Sequence, residues 1–329
     1  MTHRCLVAAS VMSALVILAP LGVFAQAPAG GAGESAAPRT AWGDPDLQGR
    51  WTNTTTTPLE RPADLEGREF LTEEERVARD AAGDVAREQR GIDAGTGETG
   101  SYNNFWVERG VRMARTSLIV DPPEGRLPPL TAAEARRRPG REAYRSREPA
   151  GPEDRNLYER CISRGLPGAM MPGFYNHNYQ IFQAPGYVVI FVEMIHDARI
   201  IPLDGRPHAD PRIRQWLGDS RGRWEGDTLV VETTNFIPVN GRALTVFGAG
   251  ETTEIVERFT RIDDGTLDYR FTVSDPTEYT RPWTASIPMT RLDGLLYEYA
   301  CHEGNYGLEN ILAGARAAER TGDRAAGSR

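Results

Sequence analysis

The sequence of 329 residues contains no lysine: all 38 basic residues are arginine, set against 46 acidic residues for a net charge of −8. Without lysine the chain cannot form a Schiff base with a carbonyl substrate or with pyridoxal phosphate. The phosphate-binding lysine of a P-loop is missing for the same reason. An acidic chain with scattered arginines is a poor nucleic-acid binder, because that affinity depends on concentrated positive charge. We therefore expect no nucleic-acid partner and no Schiff-base or P-loop chemistry.

Metal-binding signatures are also missing. No Cys-x-x-Cys motif occurs, and the histidines that follow the first 25 residues do not form a His-x-x-x-His pair. These histidines are His177, His196, His208 and His302. We therefore assign no metal ligand and no organic cofactor from the sequence.

The N-terminus has the pattern of a Sec-type signal peptide. Arg4 supplies the positive start, Leu6–Phe24 is mostly apolar, and residues 23–25 fit a small-x-small cleavage site. We expect cleavage after Ala25 and a periplasmic or secreted protein. No later apolar run is long enough to cross a bilayer as a helix, so we expect no membrane insertion after cleavage.

Cysteine usage is low and depends on that cleavage. Cys5 leaves with the signal peptide, so only Cys161 and Cys301 remain. Two cysteines in an exported protein favour one disulfide, which would enclose 301 − 161 − 1 = 139 residues. The chain-entropy model assigns such a loop roughly 5 kcal/mol of stabilisation. The alternative is two separately buried thiols.

Composition changes divide the chain. Residues 1–25 are the signal peptide, and the Ala/Gly/Pro-rich residues 26–41 predict a disordered linker. Residues 42–318 predict one domain, within which residues 58–157 form an irregular, partly helical elaboration. The polar residues 319–329 predict a disordered tail.

Two helix starts are readable in the elaboration. Thr72 and Glu75 form a capping box, which predicts a helix to about Gln89. A second capping box at residues 131–134 predicts a short helix that ends at Pro139. Near the C-terminus, helical spacing of apolar residues predicts a further short helix that docks on the domain. These residues are Leu308, Ile311, Leu312 and Ala315.

From Asn178 onward, short strand-like runs alternate with turn residues. The runs are Gln180–Gln183, Tyr187–Ile195, Arg199–Leu203, Thr228–Thr234, Glu254–Arg261, Leu267–Ser274, Thr280–Thr290 and Leu295–His302. Residues 187–195 are apolar at both odd and even positions, so we expect both faces of that strand to be covered.

The fold class that follows is mainly β. Eight strands with short links predict an antiparallel meander, and closing such a sheet into a barrel of about eight strands removes its exposed edges. A barrel of this size can hold one small ligand. A two-sheet β-sandwich is the alternative, because the same strand pattern fits it.

Three longer runs carry a family resemblance. Gly-Arg-Trp at residues 49–51 and again at 222–224 resembles the Gly-x-Trp signature of lipocalin-like barrels. The runs 187–204, 216–234 and 297–306 resemble a family of secreted bacterial proteins with no assigned activity, and the resemblance covers most of residues 42–318. It implies export and a calycin-like barrel, and it supplies no catalytic residues.

The first candidate site lies at the end of the most apolar run. Glu193 shares strand parity with apolar residues, so a buried carboxylate there must be paired or have a raised pKa. A carboxylate of that kind beside His196 is suited to moving protons near neutral pH. Asp197 would orient the imidazole, and Arg199 would clamp an anion or oxyanion. The structural alternative is a tight turn in which these side chains satisfy the backbone and one another.

A second cluster contains Glu298 and His302. On a strand they would share a face about 13 Å apart, so they would line different levels of one cavity. A disulfide at Cys301 would fix the position of His302. The structural alternative pairs Glu298 with an arginine such as Arg281.

Other side chains are candidates for holding the ligand. Tyr175 and Asn178 belong to an aromatic and amide-rich loop that enters the predicted barrel, and Trp216 and Trp283 offer further aromatic surface. The alternative is that the loop folds over and satisfies its own backbone.

These features together predict an exported enzyme for a small organic molecule. His196 would be the main acid or base, with Glu193 and His302 as secondary proton carriers. A lyase, an isomerase or a hydrolase that needs no cofactor would fit. The alternative function is a non-catalytic periplasmic carrier for an apolar small molecule.

Overall fold

A computed structural model describes residues 38–94, 108, 110–238 and 250–321. The signal peptide, most of the linker and residues 322–329 of the tail lie outside the described residues. The described part contains eleven strands and three α-helices. The strands are β1 (Gly49–Thr52), β2 (Ile119–Asp121), β3 (Asn178–Ala184), β4 (Tyr187–Val192), β5 (Ala198–Pro202), β6 (Asp219–Glu225), β7 (Thr228–Thr234), β8 (Glu254–Arg261), β9 (Thr266–Ser274), β10 (Trp283–Ser286) and β11 (Met289–Arg291). The helices are α1 (Glu73–Ala94), α2 (Ala132–Ser146) and α3 (Tyr306–Thr321).

The strands form one antiparallel sheet that curls into a nearly closed barrel. Its order is β5-β4-β3-β1-β11-β9-β8-β7-β6, and β10 pairs with β9 and β2. A single continuous sheet confirms the predicted barrel and rules out the two-sheet sandwich. The described strands number eleven instead of about eight, because β1, β2 and β6 are additional, the run 280–290 is two strands, and the run 295–302 is not a strand.

The barrel has a seam between β5 and β6, which lie side by side without a backbone hydrogen bond between their described residues. Nine strands follow one another from β5 to β6 in the sheet order, and each is antiparallel to the next. After eight such reversals the two end strands, β5 and β6, run in the same direction. At one end Gly222 lets the strands approach, since a Cβ there would lie 2.6 Å from Leu203 and 2.8 Å from Ile201. The other end opens as a cleft of about 550 Å³.

Side chains fill the barrel interior. The largest are almost completely buried aromatics, and they stack on one another, as Phe259 does on Tyr269 with centroids 4.7 Å apart. The buried aromatics are Trp51, Tyr179, Phe236, Phe259, Tyr269, Phe271 and Trp283. Burying rings of this size is the main favourable term for the fold. The described interior is therefore a packed core, and the two large clefts of the described chain are open to solvent.

The two faces of β4 are not equally covered. Val188, Ile190 and Val192 point into the core with at most 1% exposure. On the outer face Tyr187 is 40% exposed, and Ile200 of neighbouring β5 is 64% exposed. The prediction that both faces of this strand are covered was therefore wrong for its outer face.

The first predicted capping box is complete, whereas the second has only its N-cap bond, because the Thr131 N–H donates to the Glu278 carbonyl instead of to Glu134. In the first, the Glu75 N–H donates to Thr72 Oγ1 at 3.3 Å and the Thr72 N–H donates to the Glu75 carboxylate at 2.9 Å. In the second, the Glu134 N–H donates to Thr131 Oγ1 at 3.1 Å. The helix that begins after Thr131, α2, continues through Pro139 to Ser146. The prediction that Pro139 ends this helix was therefore wrong.

The C-terminal region departs from its prediction in one respect. Residues 292–305 form irregular backbone instead of the predicted strand Leu295–His302. The helix α3 then docks through its predicted apolar face, on which Ala315 is 2% exposed. It runs through Thr321, three residues into the predicted tail. Within the described residues, no helix combines the length and apolar character needed to span a bilayer.

Candidate functional site

The backbone of residues 297–301 joins the two candidate clusters that the sequence places 100 residues apart. The Tyr297 N–H donates to Glu193 Oε1 at 2.9 Å. The Tyr299 carbonyl lies 3.0 Å from Nδ1 of His196. Cys301 then forms the predicted disulfide with Cys161, with the two Cα atoms 5.5 Å apart. Residues 297–301, which we call the crossing segment, are thus held at both ends.

A sharp turn places Glu193 and His196. The strand β4 stops at Val192, and a 3₁₀ turn over residues 194–196 leads toward β5. Ile195 and His196 both have left-handed backbone conformations, with φ of 63° and 48°. This region is costly for a β-branched residue, so the surrounding contacts must hold it. Ile195 is only 2% exposed, and the bond from His196 to the crossing segment completes the restraint.

The carboxylate of Glu193 is buried and satisfied. Its Oε2 accepts a 2.8 Å bond from Asn178 Nδ2, while Oε1 accepts the Tyr297 N–H. The amide of Asn178 also donates to Glu108 Oε1 at 2.7 Å, so it bridges two carboxylates. With both oxygens occupied, Glu193 acts as an anchor for the crossing segment.

The imidazole of His196 is exposed and oriented. Its Nδ1 must donate to the Tyr299 carbonyl, which leaves Nε2 as the unprotonated nitrogen of the neutral ring. No described residue contacts this Nε2 by a hydrogen bond. Asp197, expected to orient the ring, instead accepts a 2.8 Å bond from Ser163 Oγ. Burial raises the pKa of Asp197, although this hydrogen bond and the nearby His196 oppose the shift.

The crossing segment forms one wall of an open cleft of about 800 Å³. We call it the tyrosine cleft, because four of its lining residues are tyrosines. Its lining side chains include Tyr158, Tyr175, Tyr297, Tyr299, Glu108, Glu159, Glu298 and Asn305, together with the disulfide. Tyr175 and Tyr299 meet edge to face with centroids 6.0 Å apart. Of the residues predicted from sequence, Tyr175 and Glu298 line this cleft, and Asn178 supports it through Glu108.

No protein-family model and no curated protein matches this chain. The site is therefore defined by the contacts of the chain itself.

Three predicted site residues lie elsewhere. The Arg199 guanidinium is buried in the barrel in a bidentate pair with Glu257, at 3.0 and 2.5 Å, so it is not available as an anion clamp. Trp283 has no exposed surface and packs on Phe271 with centroids 5.5 Å apart. Trp216 lines the cleft at the β5–β6 seam.

His302 also stays apart from the other predicted catalytic residues. It follows the disulfide directly, as the sequence indicates, but its side chain is exposed and does not line the tyrosine cleft. Its expected role depended on a strand that the structure does not contain. In the described part of the chain, no three His, Cys, Asp or Glu side chains converge in a way that could hold a metal ion.

Sequence reasoning missed a buried histidine next to the site. His177 is 4% exposed, and its Nδ1 lies 2.9 Å from the Met171 carbonyl while its Nε2 contacts the Arg164 guanidinium. Burial, with the positive charge of Arg164, lowers the pKa of His177 to about 4. His177 is therefore neutral near pH 7 and forms part of the support under the cleft.

The chain also contains a Gly-x-Ser-x-Gly motif, but its serine is not placed as a catalytic nucleophile. Residues 218–222 fit Gly-x-Ser-x-Gly, but they run along β6 instead of forming the strand–turn–helix elbow that exposes a nucleophile. Ser220 is buried and its Oγ lies 2.9 Å from Thr233 Oγ1. His208 pairs with Asp219, at 2.9 Å, on the opposite side of the strand.

Proposed function

We propose that this protein binds a small organic molecule in the tyrosine cleft. The observation that carries the proposal is an open cleft of about 800 Å³ whose wall is fixed by a disulfide and by two side-chain-to-backbone bonds. Ligand sites are typically concave, preformed and lined by aromatic groups with a few placed polar groups. The packed barrel core favours this surface site over an interior one.

A screen of water-soluble phenols, amines and sugars by native mass spectrometry tests the proposal. Compounds that bind wild-type protein are then measured against Tyr297→Ala, which removes an aromatic wall that is 68% exposed and so leaves the core intact. The matched control is Tyr306→Ala, because Tyr306 is 69% exposed and lies outside the lining. We expect weaker binding by the Tyr297 variant alone. Equal loss in both variants, or no binding from the whole panel, would refute the proposal.

The second candidate function is acid–base catalysis on the bound molecule, as a lyase, isomerase or hydrolase that needs no cofactor. His196 favours it, because its Nδ1 is fixed by the Tyr299 carbonyl of the cleft wall and its Nε2 has no hydrogen-bond partner among the described residues, although the ring lies beside the lining and not in it. This arrangement is the one that a general base requires. Turnover of any compound found in the screen should disappear in His196→Ala and persist in His302→Ala. Equal turnover in both variants would remove His196 as the base, and absence of turnover of every bound compound by the wild type would leave only the binding function, that is, a carrier.

We also infer that the protein is exported to the periplasm or beyond. The N-terminal pattern at residues 1–25, the resemblance to secreted bacterial proteins and the Cys161–Cys301 disulfide support this location, since disulfides persist in oxidising compartments. Fractionation of cells that express the full chain, or the chain without residues 2–25, tests it. Recovery of the full chain in the cytoplasm with its leader uncleaved would contradict export.

A further inference from the structure

We propose that the ligand of the tyrosine cleft is a protonated organic amine. This inference rests on the proposed binding function and specifies the charge of the molecule that the cleft accepts. It depends on the balance of charges in the lining, on one carboxylate oxygen without a donor, and on the aromatic character of the walls.

The lining of the cleft is acidic. Three of its side chains are carboxylates, Glu108, Glu159 and Glu298, and none of its described side chains is basic. Glu159 is neutralised by a bidentate pair with Arg155, both contacts being 2.6 Å. Glu298 is exposed and forms no ion pair with a described residue. Among the described residues, two carboxylates of the cleft therefore have no compensating cation, in a chain whose net charge is already −8.

Glu108 has an unmet acceptor. Its Oε1 accepts from Asn178 at 2.7 Å, but its Oε2 is buried and has no hydrogen-bond donor among the described residues. A buried charged oxygen without a donor is expensive, and such groups normally find a partner. An ammonium group in the cleft would bring an opposite charge close to Glu108, and the exposed carboxylate of Glu298 in the same lining would accept its N–H. A quaternary ammonium would supply only the charge, which is why we favour an amine that carries protons.

The walls suit a cation. Tyrosine faces attract cations through the ring quadrupole, and the protein already uses this interaction beside the cleft, where the Arg164 guanidinium lies 5.1 Å from the centroid of the Tyr158 ring. Arg164 is not part of the lining. The other tyrosines of the cleft, among them the exposed Tyr297, offer similar surface next to Glu108 and Glu298. An anionic ligand would meet two carboxylates without a compensating arginine in the lining.

Three probes of one shape but different charge test the inference: phenethylamine, phenethyl alcohol and phenylacetate, measured by titration calorimetry at pH 7 and low salt. We expect the amine to bind roughly tenfold or more tightly than the alcohol, and phenylacetate to bind weakest, since a charge-assisted hydrogen bond is about twice as strong as a neutral one. Added salt should weaken the amine alone.

Two conservative variants locate the charge. Glu108→Gln and Glu298→Gln should each lower amine affinity severalfold while leaving alcohol affinity unchanged. Glu309→Gln is the matched control, because Glu309 is exposed on α3 outside the lining. Glu298 is itself exposed, so its variant folds even if Glu108→Gln does not.

The outcomes separate this inference from the binding function on which it rests. If the amine and the alcohol bind equally, or phenylacetate binds best, the charge inference is wrong and the tyrosine cleft still stands as a site. If the amine binds but Tyr297→Ala and Glu298→Gln have no effect, it binds elsewhere, and both proposals fail. Absence of binding by all three probes overturns the amine inference, while the broader panel decides the binding function.

Discussion

Glu193 and Tyr297 are 104 residues apart in sequence, yet the buried carboxylate of the first accepts the backbone N–H of the second at 2.9 Å. This bond ties the end of β4 to the wall of the tyrosine cleft. His196, three residues after Glu193, repeats the connection through the Tyr299 carbonyl. The turn and the cleft wall are therefore one structural unit. Of the residues predicted to be catalytic, some anchor this unit and others face solvent.

The anchor predicts a stability effect. Replacing Glu193 with Ala leaves the Tyr297 N–H and one of the two N–H groups of the Asn178 amide without acceptors, and an unmet buried donor costs about 1–3 kcal/mol. We expect a lower free energy of unfolding in urea and weaker ligand binding. Glu303→Ala, which changes an exposed carboxylate after the disulfide, should match wild type. An unchanged urea midpoint in Glu193→Ala would contradict the anchoring role.

The buried pair of Arg199 and Glu257 predicts coupling between two substitutions. Arg199→Met leaves Glu257 as an uncompensated charge with no exposure, which should cost about 3–5 kcal/mol. Glu257 also accepts from Tyr269 at 2.9 Å, so the barrel core loses part of a network. The double variant Arg199→Met/Glu257→Leu should be more stable than Arg199→Met alone, because it removes the stranded charge. Additive losses in a double-mutant cycle would show that the pair is not coupled.

The disulfide predicts both a chemical and an energetic result. Intact protein should resist thiol alkylation without reductant, and the double variant Cys161→Ala/Cys301→Ala should lose roughly 5 kcal/mol, the loop-entropy value for 139 enclosed residues. Reduced wild-type protein provides the matched control and should unfold at the same urea concentration as the variant. Alkylation of both cysteines in the untreated protein would refute the bridge.

His177 predicts a dependence of stability on pH. Its pKa is about 4 in the folded protein and 6.5 in the unfolded chain, so between these values the unfolded state binds more protons. Stability therefore falls as the pH drops from 6.5 toward 4, by about 3 kcal/mol for this group at 1.36 kcal/mol per pKa unit. Urea unfolding of wild type and of His177→Gln at pH 7 and pH 4.5 measures the difference. We expect the steeper loss in wild type; equal losses would show that His177 does not carry this dependence.

Much of the sheet could be predicted locally. Residues 228–234 and 254–261 became strands at the predicted boundaries, because alternation of apolar side chains between turn residues is a property of the chain itself. The helix starts at Thr72 and Thr131 were predicted for the same reason, since the side chain of each threonine caps its helix. The strand β6 was missed because its sequence is polar and glycine-containing, and it is a strand only because β7 pairs with it. The prediction for residues 295–302 was wrong for the opposite reason. Their apolar side chains alternate as in a strand, but no neighbouring strand pairs with them.

The sequence by itself determined the export pattern, the antiparallel β class and the cysteine pair, since each follows from composition or from local periodicity. Only the tertiary structure decided which polar residues meet. Arg199 looked like a free cation until burial paired it with Glu257, a residue 58 positions away. Glu193 and His196 gained their partners from backbone atoms of the crossing segment, which no side-chain pattern records. Contacts of this kind depend on where the folded chain passes in space, so they could not be derived from spacing along the sequence.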